Sequence, residues 1–157
     1  MTVTQTAPER VKSHHALEML REDHRRLEAL CVEYQRLVQA DASAADRSGL
    51  IARIGGRMRI HARIEDEIFY PALPHSEALQ RAHAEHERLD AELRRIAEAG
   101  GAQADGGVDA LARALAAHAR FEEETVFALA AGLDLFELGA RLRARRIELT
   151  GDYDQPS

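Results

Sequence analysis

Two stretches decide the reading: His61-Ala62-Arg63-Ile64-Glu65-Asp66-Glu67 and His118-Ala119-Arg120-Phe121-Glu122-Glu123-Glu124. Five of the seven positions are identical. Upstream of each, a second pair aligns about a histidine: Glu22-Asp23-His24-Arg25-Arg26-Leu27-Glu28 and Ala84-Glu85-His86-Glu87-Arg88-Leu89-Asp90. The chain therefore reads as two copies of one helical hairpin. Each copy supplies a lone His and then a His-x-x-x-Glu.

Working outward, apolar residues recur at steps of three and four, the spacing of one helix face. Leu17, Leu20, Leu27, Cys31, Tyr34 and Val38 predict a helix from after Pro8 to about Ala40. Ile51, Ile54, Met58, Ile64, Ile68 and Phe69 predict a second, capped by Asp46, weakened by Gly55–Gly56 and closed by Pro71 to Pro74. Ser76 caps a third that runs to about Ala99. The stretch GGAQADGG reads as a flexible connection, and a fourth helix runs from Val108 to Ala131 and ends at Gly132. A shorter fifth spans Leu133 to Leu149. Alternating β-branched runs are missing. The expected fold is all-α, an up-down-up-down four-helix bundle with a short additional C-terminal helix. The expected organisation is a flexible N-terminus at 1–12, the bundle at 13–132, the C-terminal helix at 133–150 and a frayed tail at 151–157.

On helical wheels at about 100° per residue, His61 and Glu65 lie inside the apolar stripe of their helix, and so do His118 and Glu122. Asp66, Glu67, Glu123 and Glu124 fall outside it. Leu17, Leu20 and Cys31 flank His24, and Leu79 and Leu93 flank His86. Four His and two Glu are thus aimed into one core. Unpaired ionised carboxylates there would be very costly. Lys and Arg are missing from the stripe centres, with Arg21 at one edge. Two divalent metal ions can supply the positive charge and leave some for a bridging hydroxide or oxide. Imidazole with carboxylate suits iron, manganese or zinc. Side chains at i,i+4 stand about 5–6 Å apart at Cβ, so each His can cap one metal while its Glu reaches the other. The bland alternative, a duplicated hairpin with ordinary i,i+4 contacts, leaves both inward Glu unexplained.

This pattern resembles the hemerythrin-like family of HHE cation-binding domains, over roughly residues 14–131. IFYPAL after the first Glu also looks like that family's helix-two ending. The resemblance implies a four-helix bundle around a non-haem di-iron centre, oxo- or hydroxo-bridged. It implies His24, His61, Glu65, His86, His118 and Glu122 as ligands, with Glu65 and Glu122 bridging. The sequence departs from the oxygen-carrying hemerythrins, which place His-x-x-x-His on helix three and His-x-x-x-x-Asp on helix four. Here helix three has His83-x-x-His86, and helix four has Glu at i+4. The set looks more like members tied to nitric oxide, peroxide, iron sensing or repair of iron centres. Repair members carry an added N-terminal cysteine-bearing domain, for which this chain has no room.

Several other residues are open to more than one reading. His83, at the stripe edge, is an extra ligand, a hydrogen-bonding supporter or a partly exposed polar residue. Glu28 and Asp90 either orient His24 and His86 or sit on a solvated rim. Cys31 reads as a small core hydrophobe or a redox group. Tyr34 and Tyr70 could line the site. His14, His15 and His75 lie near helix ends. Arg141, Arg143, Arg145 and Arg146 read as a solvated face. Leu133, Leu135, Phe136 and Leu138 either cover the bundle end or form a homodimer contact through the C-terminal helix.

Composition excludes several classes. The chain has 157 residues, enough for a core without staples. The net charge is −6, which argues against nucleic acid or an anionic membrane surface as partner. A single cysteine, Cys31, excludes an internal disulfide and any four-cysteine iron–sulfur or zinc site. Trp is absent and aromatics are 4%, which argues against a large aromatic pocket. No apolar run is long enough to span a membrane. The polar start, MTVTQTAPER, lacks a signal core, so a cytoplasmic protein is expected. The functional expectation is a di-iron protein that binds or reacts with oxygen, peroxide or nitric oxide, with no catalytic residue beyond the ligands. The rivals are a non-catalytic iron or oxygen sensor or metal store, and a structural zinc bundle.

Overall fold

The computed structural model describes residues 15–151. The expected N-terminal reach, His14 and the tail after Gly151 lie outside the described residues. Five α-helices follow in order: α1 Ala16–Gln39, α2 Ala44–Ile64, α3 Glu77–Ala99, α4 Gly101–Phe121 and α5 Leu135–Thr150. Strands are absent among the described residues. Each of the first four helices packs on the next, and α4 returns to α1 to close the bundle. α5 lies across α1 and α2 at one end. None of the helices is long and apolar enough to cross a membrane.

Local chemistry sets the boundaries. Ser43, not Asp46, caps α2: its hydroxyl accepts from the Asp46 amide at 3.1 Å. Asp46 instead sits in the first turn, where a carboxylate meets the helix dipole favourably. α2 runs unbroken through Gly55 and Gly56, because Ile51, Ile54 and Met58 around them are buried in the core. Ser76 caps α3 as expected. Asp134 caps α5, which begins at Leu135 rather than Leu133.

The GGAQADGG stretch is not a flexible connection. The chain turns at Gly100, where φ is +66°, and is helical from Gly101 onward. Tertiary burial overrides the weak local propensity. Ala104 and Val108 are core residues. At Gly107 a Cβ would stand 2.7 Å from Ile96 Cγ1, so that glycine lets α4 approach α3 closely.

The two His-x-x-x-Glu helices share a feature that spacing did not foretell. Each changes winding at its Glu. Glu65–Phe69 and Glu122–Val126 form π-helical turns, followed by 3-10 turns at Tyr70–Ala72 and Phe127–Ala130. The wider winding turns less than 100° per residue. It swings Phe69 and Val126 fully into the core, while Ile68 and Leu129 are only half-buried.

The core is split in two. One apolar cluster holds Leu27, Tyr34, Ile54, Met58, Leu93 and Leu111 with their neighbours. The other holds Leu20, Ile64, Phe69, Phe127, Leu138 and Leu142 with theirs. Leu138 and Leu142 come from α5, which therefore covers this end of the bundle, with Leu135 packed beside them. The inward-pointing His and Glu belong to neither cluster.

Candidate metal centre

All six residues marked by the repeat are buried: His24, His61, Glu65, His86, His118 and Glu122. Glu65 and Glu122 are both 0% exposed. Each Glu collects two imidazoles. Glu65 Oε1 lies 2.7 Å from His61 Nε2 and 3.1 Å from His86 Nε2. Glu122 lies 3.3 Å from His24 Nε2 through Oε1 and 3.4 Å from His118 Nε2 through Oε2. The four rings form a girdle, with neighbouring centroids 4.9–6.2 Å apart.

His24, His61, Glu65, His118 and Glu122 each place one ligand atom within 4.8 Å of all the others. Many of these contacts are short enough for hydrogen bonds, yet five inner atoms lack one. They are the Nε2 atoms of His24, His61 and His118, with Glu65 Oε2 and Glu122 Oε1. Buried polar atoms are rarely left without a partner. Here they crowd together at one point of the core, which is what cation ligands require. The donor set, neutral nitrogen with carboxylate oxygen, suits a transition metal. His86 stands slightly apart, held by Glu65 and by the Tyr70 hydroxyl at 3.3 Å.

The outer nitrogens show an order that the wheels missed. Every Nδ1 meets a carboxylate. His24 pairs with Glu123 at 2.9 Å, His61 with Asp23 at 2.9 Å, His86 with Asp66 at 3.2 Å and His118 with Glu85 at 2.8 Å. An Nδ1–H donated to a carboxylate fixes the ring's orientation and leaves Nε2 for a metal. Asp66 and Glu123 were expected to point outward. The π-helical turns, with the reach of the side chains, bring them instead to α3 and α1. Asp23 and Glu85, each immediately before a lone His, serve the second His of their own hairpin.

The remaining candidates separate cleanly. His83 is exposed and bonds Asp66 and Glu87, so it touches the site only through Asp66. Asp90 pairs with Arg59 and Arg94, and His86 Nδ1 is taken by Asp66. Glu28 is half-buried, and His24 Nδ1 is taken by Glu123. Neither Glu28 nor Asp90 orients its His. Cys31 lies in the first apolar cluster, where burial and the nearby Glu28 charge push its thiol up to about 11, so it stays a neutral thiol. Tyr34 bonds Asp105, away from the centre. Tyr70 does line the site. Its hydroxyl donates to Glu122 Oε2 at 2.5 Å. Burial and the Glu65 and Glu122 charges push its phenol far up, so it keeps its proton. His15 is the residue before α1, with its ring edge on Phe136. His75 is exposed.

One arginine was misplaced by the sequence reading. Arg146 is not on a solvated face: it is 7% exposed and donates to Asp23 Oδ2 at 2.5 Å. Arg145 beside it pairs with Glu67. Periodicity did carry a signal: Arg146 follows Leu138 and Leu142 at steps of four, on the face that α5 buries.

Electrostatics follow the geometry. Burial lowers the His24 and His86 pKa values, but the carboxylates outweigh it and hold both up to about 9. Burial likewise lowers that of His61, and Glu65 and Asp23 raise it well above the ordinary value. Burial raises that of Glu122, yet hydrogen bonding at the centre and the surrounding histidines hold it well below the carboxylate range. The centre thus favours an ionised Glu122 with positive charge beside it.

A family model described as the hemerythrin HHE cation-binding domain matches residues 15–130. No curated protein and no solved structure matches the chain.

Proposed function

The chain belongs to the hemerythrin family of HHE cation-binding domains, and from that premise we propose that it holds two iron ions and uses them to bind or transform oxygen, peroxide or nitric oxide. The observation that carries this reading is the set of five buried inner atoms without hydrogen-bond partners. His24, His61, His86 and His118 would hold the ions through Nε2, and Glu65 and Glu122 would bridge them. Iron held there would supply redox chemistry and coordination positions open to a small molecule.

The chain's own residues do the rest. Asp23, Asp66, Glu85 and Glu123 orient the imidazoles. The apolar clusters on either side exclude water from the centre. Tyr70 keeps a proton on its hydroxyl against Glu122 Oε2, the one phenol at the centre among the described residues. This favours proton-coupled chemistry with peroxide or nitric oxide over simple metal storage.

Metal analysis of the purified protein beside its absorption spectrum tests the reading, with the Glu65→Ala/Glu122→Ala double variant as control. About two irons per chain are expected from the two bridging carboxylates, with near-ultraviolet bands that the variant lacks. Colourless protein filled with zinc would favour a structural site. Substoichiometric metal, or a spectrum unchanged in the variant, would overturn the di-iron reading.

A further inference from the structure

The four carboxylates behind the histidines are themselves held by Arg or His side chains, but not equally. Glu123 meets Arg21 at 3.6 Å, Glu85 meets Arg81 at 3.2 Å and Asp66 meets His83 at 3.1 Å. Those three partners are 32%, 62% and 54% exposed. Water can replace contacts of that kind, and exposed pairs contribute little. Arg146 differs. It is buried, and so is Asp23.

The geometry is a line of contacts. Asp23 Oδ2 accepts from Arg146 Nη2 and from His61 Nδ1 together. His61 Nε2 then faces Glu65 Oε1. Arg146 is set by its helix: Leu138 and Leu142 of α5 are core residues, and Asp134 caps the first turn. The neighbouring Arg145 pairs with Glu67 at 2.7 Å, on the π-helical turn that carries Glu65. α5 therefore braces one half of the centre through the buried Arg146–Asp23 pair, and the part-exposed Arg145–Glu67 pair adds only a surface contact. The helix lies beyond residues 15–130, the part of the chain that the family model matches.

We propose that Arg146 is a positioning residue for the metal centre: it fixes Asp23 on His61 Nδ1 and so holds His61 Nε2 on the cation bound in the His61–Glu65 half. This rests on the reading of the centre as a metal site. Removing one partner of a buried charged pair leaves the other uncompensated. Asp23 would then turn away or take a proton, and the imidazole would lose its orienting acceptor. The half held by His118 and Glu122 relies on exposed partners and would be unaffected.

The test is anaerobic Fe(II) binding to the full chain, read by competition with a coloured ferrous chelator, beside thermal melting of the metal-free protein. Arg146→Gln is expected to weaken one of two irons by about 10–100-fold, the usual effect of losing such a support, and to leave the other unchanged. Asp23→Asn should do the same, and the double variant should lose no more than either single one. Arg146→Lys should restore part of the affinity. Leu50→Ala, a core truncation in the first apolar cluster away from α5, should lower the melting temperature and leave both affinities intact. If Arg146→Gln lowers melting but not affinity, or if the two losses add, the brace is overturned. If Arg146→Gln fails to fold, Arg146→Lys and Asp23→Asn give the same decision. Wild-type protein that binds no iron would overturn the metal reading and the brace together; normal wild-type binding with unchanged variants overturns the brace alone.

Discussion

Tyr70 and Glu122 come from opposite halves of the repeat, yet the Tyr70 hydroxyl lies 2.5 Å from Glu122 Oε2. The Tyr70 ring also stacks on His86, with centroids 5.6 Å apart. One side chain thus ties the end of the first hairpin to a carboxylate of the second and an imidazole of α3. Tyr70→Phe keeps the stack and removes the donor. A buried charged oxygen then loses a hydrogen bond, which costs about 1–3 kcal/mol. Thermal unfolding of the metal-free variant should show that loss, while its iron content stays at the wild-type level because both Glu122 oxygens remain.

His83 and His86 make opposite predictions although they lie one helical turn apart. His86 Nε2 faces Glu65, whereas His83 is exposed and reaches only Asp66 and Glu87. His86→Ala should lower iron content clearly. His83→Ala should leave it within error of wild type. Metal analysis of the two variants side by side checks this, and equal losses would make His83 a ligand.

Gly107 tests the start of α4. Its Cβ position is blocked by Ile96, a core residue of α3. Gly107→Ala must push that side chain aside or part the helices, at about 1–3 kcal/mol, the usual cost of overpacking. For a chain of this size each kcal/mol moves melting by about 2–4 °C. A variant that melts at or above the wild-type temperature would mean that α3 and α4 are not so close.

Much of the centre was legible because its residues repeat. His61, Glu65, His118 and Glu122 lie in apolar stripes, and the structure brings them together with His24 and His86. What could not be seen followed from a constant winding of 100° per residue. The π-helical turns at Glu65 and Glu122 break that assumption, which is why Asp66 and Glu123 were turned outward. The clue to the supporting carboxylates was nonetheless present. In both copies an acid precedes the lone His, at Asp23 and Glu85, and another follows the second Glu, at Asp66 and Glu123. Arg146 had no clue in the repeat, where α5 has no counterpart; its signal was the step of four after Leu138 and Leu142. The α4 start was misread because glycine propensity was weighed without the burial of Ala104 and Val108.

Protons and metal compete for the same nitrogens, so pH should act on stability and on metal binding with opposite signs. Burial lowers the His24 and His86 pKa values. Glu122 and Glu123 around His24, and Asp66 and Glu65 around His86, outweigh it and raise both from 6.5 to about 9. A group raised on folding stabilises fully below its unfolded value and loses that contribution as pH rises through its folded value. The metal-free protein should therefore be most stable near pH 6.5 on this account and weaken toward pH 9. Metal binding displaces those protons, so affinity should rise across the same interval. Melting curves at steps from pH 6.5 to 8.5, with and without Fe(II) under anaerobic conditions, read both slopes at once. The gap between loaded and metal-free melting temperatures should widen steadily. A constant gap would mean that the imidazoles enter the metal-free state already neutral and that the carboxylates do not raise them as the geometry requires.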